Sequence, residues 1–190
     1  QYGRKATCER LSRGLPRSLW GVTPLLTLPI KARCDRLLGL ESKSLVFLTY
    51  HVSSEFDINL SGPTKFLSER RPTLLGVWCK IVLAYALLRY DIFHYFFDRG
   101  ILIPRGPSKP DQKLMIGINE QELDLLKRAQ KRLYCFTYGA DVRSRNRTMA
   151  LGEYNCCMDC PEPGRFCICS QKGSDENIER IRPYANALLA

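Results

Sequence analysis

The sequence predicts an α/β fold: a Rossmann-like, three-layer domain with a mainly parallel sheet, carrying a cysteine-rich knuckle. Two observations carry this prediction. Ser44–Tyr50, Tyr90–Phe96 and Lys131–Thr137 are short, largely apolar runs rich in β-branched and aromatic residues. Such runs suit strands buried on both faces, as in a parallel sheet. Helical-length stretches, Thr73–Leu88 and Asn119–Gln130, separate them, so strands and helices alternate along the chain.

In chain order, residues 1–17 read as an irregular basic arm, and residues 18–190 as the Rossmann-like domain. Ser18–Pro24 is a short apolar stretch broken by Gly21 and Pro24, a strand ending in a loop. Leu25–Leu38 is helical, with Pro29 in a first turn and Gly39 as the stop. Ser44–Tyr50 is the next strand, and His51–Asn59 a polar loop. Leu60–Arg71 holds turn signals and a short helix, and Pro72 then opens the apolar helix Thr73–Leu88. That helix spans about sixteen residues and contains Lys80, too short and too polar for a span of roughly twenty apolar residues. With Arg70, Arg71, Lys80 and Arg89 around it, residues 73–88 are a candidate for peripheral membrane contact.

Tyr90–Phe96 is a strand, followed by the loop Phe97–Gly100. Pro104–Lys113 is a linker of Pro, Gly and Lys. Asn119 is a natural N-cap for the next helix, with Glu120 and Glu122 in its first turn and Lys127 and Arg128 in its last. Lys131–Thr137 is a strand that runs into Tyr138–Arg143, a loop with a glycine and an Asp/Arg pair. The knuckle, residues 156–169, follows, and Ser174 caps a final helix, 174–190, which Pro183 kinks or divides. The chain starts at Gln1 and ends on an apolar turn with no stop signal, which reads as a fragment lacking a second domain.

The 190 residues are enough for a real core, and no repeat or low-complexity segment stands out. The net charge of +10, from 29 Lys+Arg against 19 Asp+Glu, favours anionic partners. The basic residues are dispersed, with small groups at Arg70–Arg71, Lys127–Arg128, Lys131–Arg132 and Arg143–Arg147, so nucleic acid is not the expected partner. The absence of a secretory signal and the odd total of nine cysteines point to a reducing, cytoplasmic setting.

Five of those nine cysteines fall between Cys156 and Cys169, around a turn made by Pro161, Pro163 and Gly164. Cys157, Cys160, Cys167 and Cys169 offer four thiolates, with Cys156 an alternative first ligand. A closed thiolate shell suits tetrahedral, structural zinc and leaves no open position for catalysis. An iron–sulfur cluster uses the same ligands, and two disulfides or unliganded thiols remain as alternatives. Cys8, Cys34, Cys79 and Cys135 are scattered and read as small hydrophobes.

In open parallel sheets, ligands bind outside the carboxyl ends of the strands. That rule singles out Gly21–Pro24, His94–Arg99 and Tyr138–Arg147. Asp141 is placed to accept from a hydroxyl or to serve as general base, and Arg143, Arg145 and Arg147 to clamp phosphate. A turn aspartate bonded to backbone N–H groups, with solvated arginines, explains the same spacing. His94 is a base or acceptor ligand near a strand end, or a satisfied core histidine. Asp98 and Arg99 beyond it are loop residues for a ligand, or a local ion pair. The phosphate-binding Gly-x4-Gly-Lys-Ser/Thr loop, the Gly-x-Gly-x2-Gly fingerprint, Gly-x-Ser-x-Gly and His-Glu-x2-His are all absent.

Tyr90-Asp91-Ile92-Phe93-His94, followed by Lys131–Thr137 and Tyr138-Gly139-Ala140-Asp141-Val142-Arg143, resembles the N-terminal half of GT-B-type glycosyltransferases. Leu19–Pro24 resembles the family's first strand and loop, so the likeness covers residues 18–150. Tyr138 stands where the family has histidine, so no histidine base is implied there. The knuckle looks like an insertion of a subgroup. The resemblance implies sugar transfer from a nucleotide-sugar donor to an unknown acceptor, with this chain as the acceptor-side domain and no catalytic metal. It implies Asp141 and His94 as catalytic residues, Asp98 and Arg99 beside them, Tyr138 and Gly139 in the binding loop, and Gly21 and Arg143 toward the donor diphosphate. The rival reading is a non-catalytic zinc-knuckle module that binds protein or nucleic acid.

Overall fold

The computed structural model describes residues 2–49, 55–102, 117–137, 145–155, 157–158, 160–161 and 171–189. It is an α/β structure around a six-stranded, all-parallel sheet. The strands are β1 (Arg17–Val22), β2 (Glu41–Val46), β3 (Ile58–Asn59), β4 (Ile92–Phe96), β5 (Arg132–Phe136) and β6 (Ala187–Leu189). Their spatial order is β3-β2-β1-β4-β5-β6. That order reverses direction at β1 and β4, which is compatible with a Rossmann-like arrangement.

The helices are α1 (Tyr2–Ser12), α2 (Thr27–Leu37), α3 (Ser61–Arg70), α4 (Pro72–Arg89), α5 (Glu120–Arg128), α6 (Arg145–Met149) and α7 (Gln171–Ile181). Alternate residues of each strand feed two apolar clusters, one on each face of the sheet. Leu19, Leu45, Phe93, Tyr95, Leu133 and Cys135 pack with Cys79, Val82, Leu83 and Ala86 of α4, Leu123 and Leu126 of α5, and Ile181 of α7. Trp20, Val46 and Phe96 pack on the other face with Leu28 and Ala32 of α2. Burying each large apolar side chain contributes roughly 1.5–3 kcal/mol.

Local signals hold where the sequence is explicit. Asn119 caps α5, its side chain accepting from Gln121 N–H at 2.9 Å. Gly39 has φ +86° just beyond α2, and Leu40 N–H reaches back to Asp35 O at 3.0 Å. Gln130 plays the same part after α5 at φ +54°, with Lys131 N–H on Leu126 O at 2.9 Å, although it carries a side chain.

Three expectations are corrected. Most of the arm 1–17 is helix α1 rather than irregular chain, and β1 begins at Arg17. Arg10 grips the fully buried Asp91 with two 2.7 Å hydrogen bonds, and Thr7 Oγ1 accepts from Lys131 Nζ at 2.6 Å. This docking orders the segment at the amino ends of β4 and β5. The final helix is α7 and ends at Ile181, and the tail forms β6. Asn186 begins that strand by receiving Leu133 N–H and donating its own N–H to Leu133 O. The strand expected at Ser44–Tyr50 runs over Glu41–Val46. Its polar start is tolerated because Ser42 Oγ bonds Asp35 and Ser44 Oγ bonds Asp57, at 2.9 and 2.8 Å.

Candidate functional site

The switch point lies between β1 and β4, and the residues just past their carboxyl ends meet there. Thr23 follows β1, and its Oγ1 donates to Asp98 Oδ1 at 2.8 Å. Both residues are buried. The turn carrying Asp98 is fixed from three further directions. Asn177 of α7 donates its Nδ2 to Phe97 O at 2.8 Å. Gly117 N–H donates to Asp98 O at 2.6 Å, which brings the two described ends of the 103–116 segment to this place. Glu122 of α5 accepts from Ile101 N–H at 3.0 Å and Leu102 N–H at 2.8 Å. A Cβ at Gly100 would lie 2.5 Å from Glu122 Oε2, so the turn closes onto that carboxylate only because residue 100 lacks a side chain.

Glu122 is fully buried, beside the Tyr95 hydroxyl. Burial pushes its carboxyl up to about 7, against the pull of the Leu102 and Ile101 N–H groups. The Tyr95 hydroxyl is raised well above its ordinary range by burial and by Glu122. Glu122 holds the turn from beneath through its two backbone donors.

Arg99 is half-exposed next to Asp98, and no hydrogen bond or ion pair to another described residue holds its side chain. It is therefore available to an anion at the strand ends. Arg147 is committed differently, its guanidinium meeting Asp175 of α7 at 2.5 Å.

His94 does not reach the strand end. It sits mid-strand on β4, stacked on Trp20 at 3.9 Å and 6°, with Tyr134 on its other side at 5.5 Å. Burial pushes its imidazole down to about 4, so it is neutral at physiological pH. Its Nδ1 is buried with no hydrogen-bond partner among the described residues. Lys31 lies over the rings of Trp20 and Phe136, at 5.1 and 4.6 Å. This arrangement suits a packed aromatic row better than proton transfer. Gly21 lies within β1. A Cβ there would meet Leu45 O at 3.2 Å and approach Tyr95, so its small size serves packing of the buried face.

The remaining expected residues are only partly described. Tyr138, Gly139, Asp141 and Arg143 lie outside the described residues. In the sequence they come shortly after Phe136, the last residue of β5. Of the knuckle, Cys157 and Cys160 are described and Cys156, Cys167 and Cys169 are not. Asn155 shapes the entry: its Oδ1 accepts from Cys157 N–H at 3.0 Å, and its carbonyl from Met158 N–H at 3.1 Å. Cys157 and Cys160 are both half-buried. Among the described residues no group of three or more His, Cys, Asp or Glu gathers as a metal site.

Sequence reasoning marked Asp98 and Arg99 but missed Glu122 and Asn177. Glu122 read as a first-turn helix acid, and nothing local shows that it faces a turn twenty residues earlier. Comparison with protein-family models, curated proteins and solved structures finds no match to this chain.

Proposed function

We propose that this chain is the acceptor-side domain of a glycosyltransferase that moves a sugar from a nucleotide-activated donor to an acceptor hydroxyl. The observation that supports it most is the reversal of strand order between β1 and β4, with Asp98 anchored by Thr23 just past the strand ends and Arg99 beside it. Parallel sheets bind ligands at this position. Strand β5, the neighbour of β4, ends at Phe136, shortly before Tyr138 in the sequence.

In this reading Asp141 takes the proton of the acceptor hydroxyl, whose oxygen attacks the anomeric carbon of the donor. The nucleoside diphosphate leaves, and Arg143 and Arg99 meet its charge. Asp98, held in one orientation, accepts a hydrogen bond from the sugar or acceptor. His94 is left as part of the aromatic row beneath the site. The cysteines serve as a zinc staple that follows the Asp141 loop in sequence, with Cys157 and Cys160 supplying two of four thiolates.

The test uses the natural full-length coding sequence and a panel of nucleotide-sugars, reading nucleoside diphosphate release with and without acceptor extracts. Transfer that falls at least a hundredfold in Asp141→Asn supports the assignment. Undiminished transfer removes Asp141 from the mechanism, and no release from any donor overturns the function. Elemental analysis tests the staple: one equivalent of zinc, absent from a Cys157→Ser/Cys160→Ser variant, is expected. Folded, metal-free protein overturns it, and iron with sulfide replaces it by a cluster.

A further inference from the structure

Helix α4 is apolar on both of its long faces. One face, Cys79, Val82, Leu83 and Ala86, is buried in the main core. The other presents Leu74, Val77, Ile81, Tyr85 and Leu88 to solvent, each 46–73% exposed. Their spacing of three and four residues sets them in one stripe along the outer side of the helix. The helix runs over 18 residues, longer than the stretch 73–88 read from the sequence, and by length and composition it could cross a membrane after all. Its buried face excludes that use, since leaving the sheet would strip the core of four side chains. The helix therefore stays docked and offers its outer stripe sideways.

The charge around the stripe has one sign. Residues 61–89 contain Lys65, Arg70, Arg71, Lys80 and Arg89 against a single acid, Glu69. Lys65 pairs with Glu69 and Arg89 with Glu41. Arg70, Arg71 and Lys80 have no ion pair among the described residues. Helix α4 itself carries no acid. A second copy laid stripe to stripe would oppose like charges, whereas an anionic lipid surface answers both the apolar stripe and its basic rim.

We infer that α4 is a membrane-docking helix that lies in the plane of an anionic bilayer surface, with Leu74, Val77, Ile81, Tyr85 and Leu88 inserted among the acyl chains and Arg70, Arg71 and Lys80 at the headgroups. The inference stands on the helix alone and does not depend on the glycosyltransferase reading.

Co-sedimentation of the full chain with vesicles tests it, using phosphatidylcholine alone and phosphatidylcholine with about 30% phosphatidylglycerol, where each basic residue near the surface strengthens binding roughly fivefold. Binding to the anionic vesicles is expected, weakened at least tenfold in Ile81→Asp and, separately, in Arg70→Ala/Arg71→Ala/Lys80→Ala. Ile81 is 57% exposed, so its variant should keep the wild-type unfolding midpoint, which is measured alongside. The inference is overturned if wild-type protein stays in the supernatant, or if Ile81→Asp binds as tightly as wild type. It is also overturned if sedimentation velocity shows a dimer that Ile81→Asp dissociates, which would assign the stripe to a second copy.

Discussion

Thr23 Oγ1 donates to Asp98 Oδ1 at 2.8 Å, joining the residue after β1 to the turn after β4 across the point where the strand order reverses. Both are buried, so the carboxylate oxygen loses a partner that water does not readily replace. Thr23→Val keeps the shape and removes the donor. It should lower stability by about 1–3 kcal/mol, read from urea unfolding, while Thr23→Ser should recover most of the loss.

Helix α1 is attached through charge. Asp91 is fully buried and takes Arg10 in a forked pair, with Arg17 N–H at 3.1 Å as a third donor. Burial raises its carboxyl, but the hydrogen bonds from Arg10, Arg17 and Thr7 outweigh that and leave it below the ordinary range. Its contribution to stability is therefore present above the unfolded value and is lost as pH falls through the folded one. Arg10→Met removes two donors from a buried carboxylate that keeps Arg17 N–H and the Lys131 ammonium at 3.8 Å, and should destabilise by about 1–3 kcal/mol. Deleting residues 1–12 should do the same, whereas an irregular arm would be dispensable; chemical denaturation separates these outcomes.

His94 and Glu122 should give the stability–pH profile opposite slopes. The imidazole, buried to about 4 from 6.5, stabilises the fold above 6.5 and loses that contribution as pH falls toward 4. The Glu122 carboxyl, raised to about 7 from 4.5, contributes fully below 4.5 and loses that contribution as pH rises through 7. Each effect has a ceiling of about 3 kcal/mol. His94→Phe, which keeps the stack with Trp20 and Tyr134, should flatten the acid limb. Glu122→Gln should flatten the alkaline limb while lowering stability overall, because its amide NH₂ faces backbone N–H donors. Unfolding midpoints between pH 4 and 9 provide the measurement, and unchanged slopes in both variants would refute the assignments.

Gln130 terminates α5 in the left-handed region with the hydrogen-bond pattern that glycine usually supplies. Gln130→Gly relieves the backbone but gives up the contact from Cys8 Sγ to Gln130 Oε1 at 3.3 Å. The balance should be a gain of up to about 1 kcal/mol, seen as a rise in Tm. Gly39→Gln, at the equivalent place after α2, should cost a similar amount.

The sequence alone determined the α/β alternation, because buried parallel strands and the amphipathic α5 each leave a periodic apolar record. It determined the ends of α2 and α5 through Gly39 and Asn119, whose chemistry is local. It also marked the Asp98–Arg99 turn, since strand ends in such sheets are where ligands gather. Tertiary structure decided the rest. Helix α1 exists because Asp91 and Lys131, about eighty and a hundred and twenty residues away, receive its side chains. Strand β6 forms because β5 offers an open edge to a segment too short to show a period of its own. His94 stacks between Trp20 and Tyr134 because strand register sets the three side by side. Glu122 became the support of the candidate site because a helix acid was folded beneath a distant turn. In each case the deciding contact lies between residues far apart in the chain, and only folding brings such residues together.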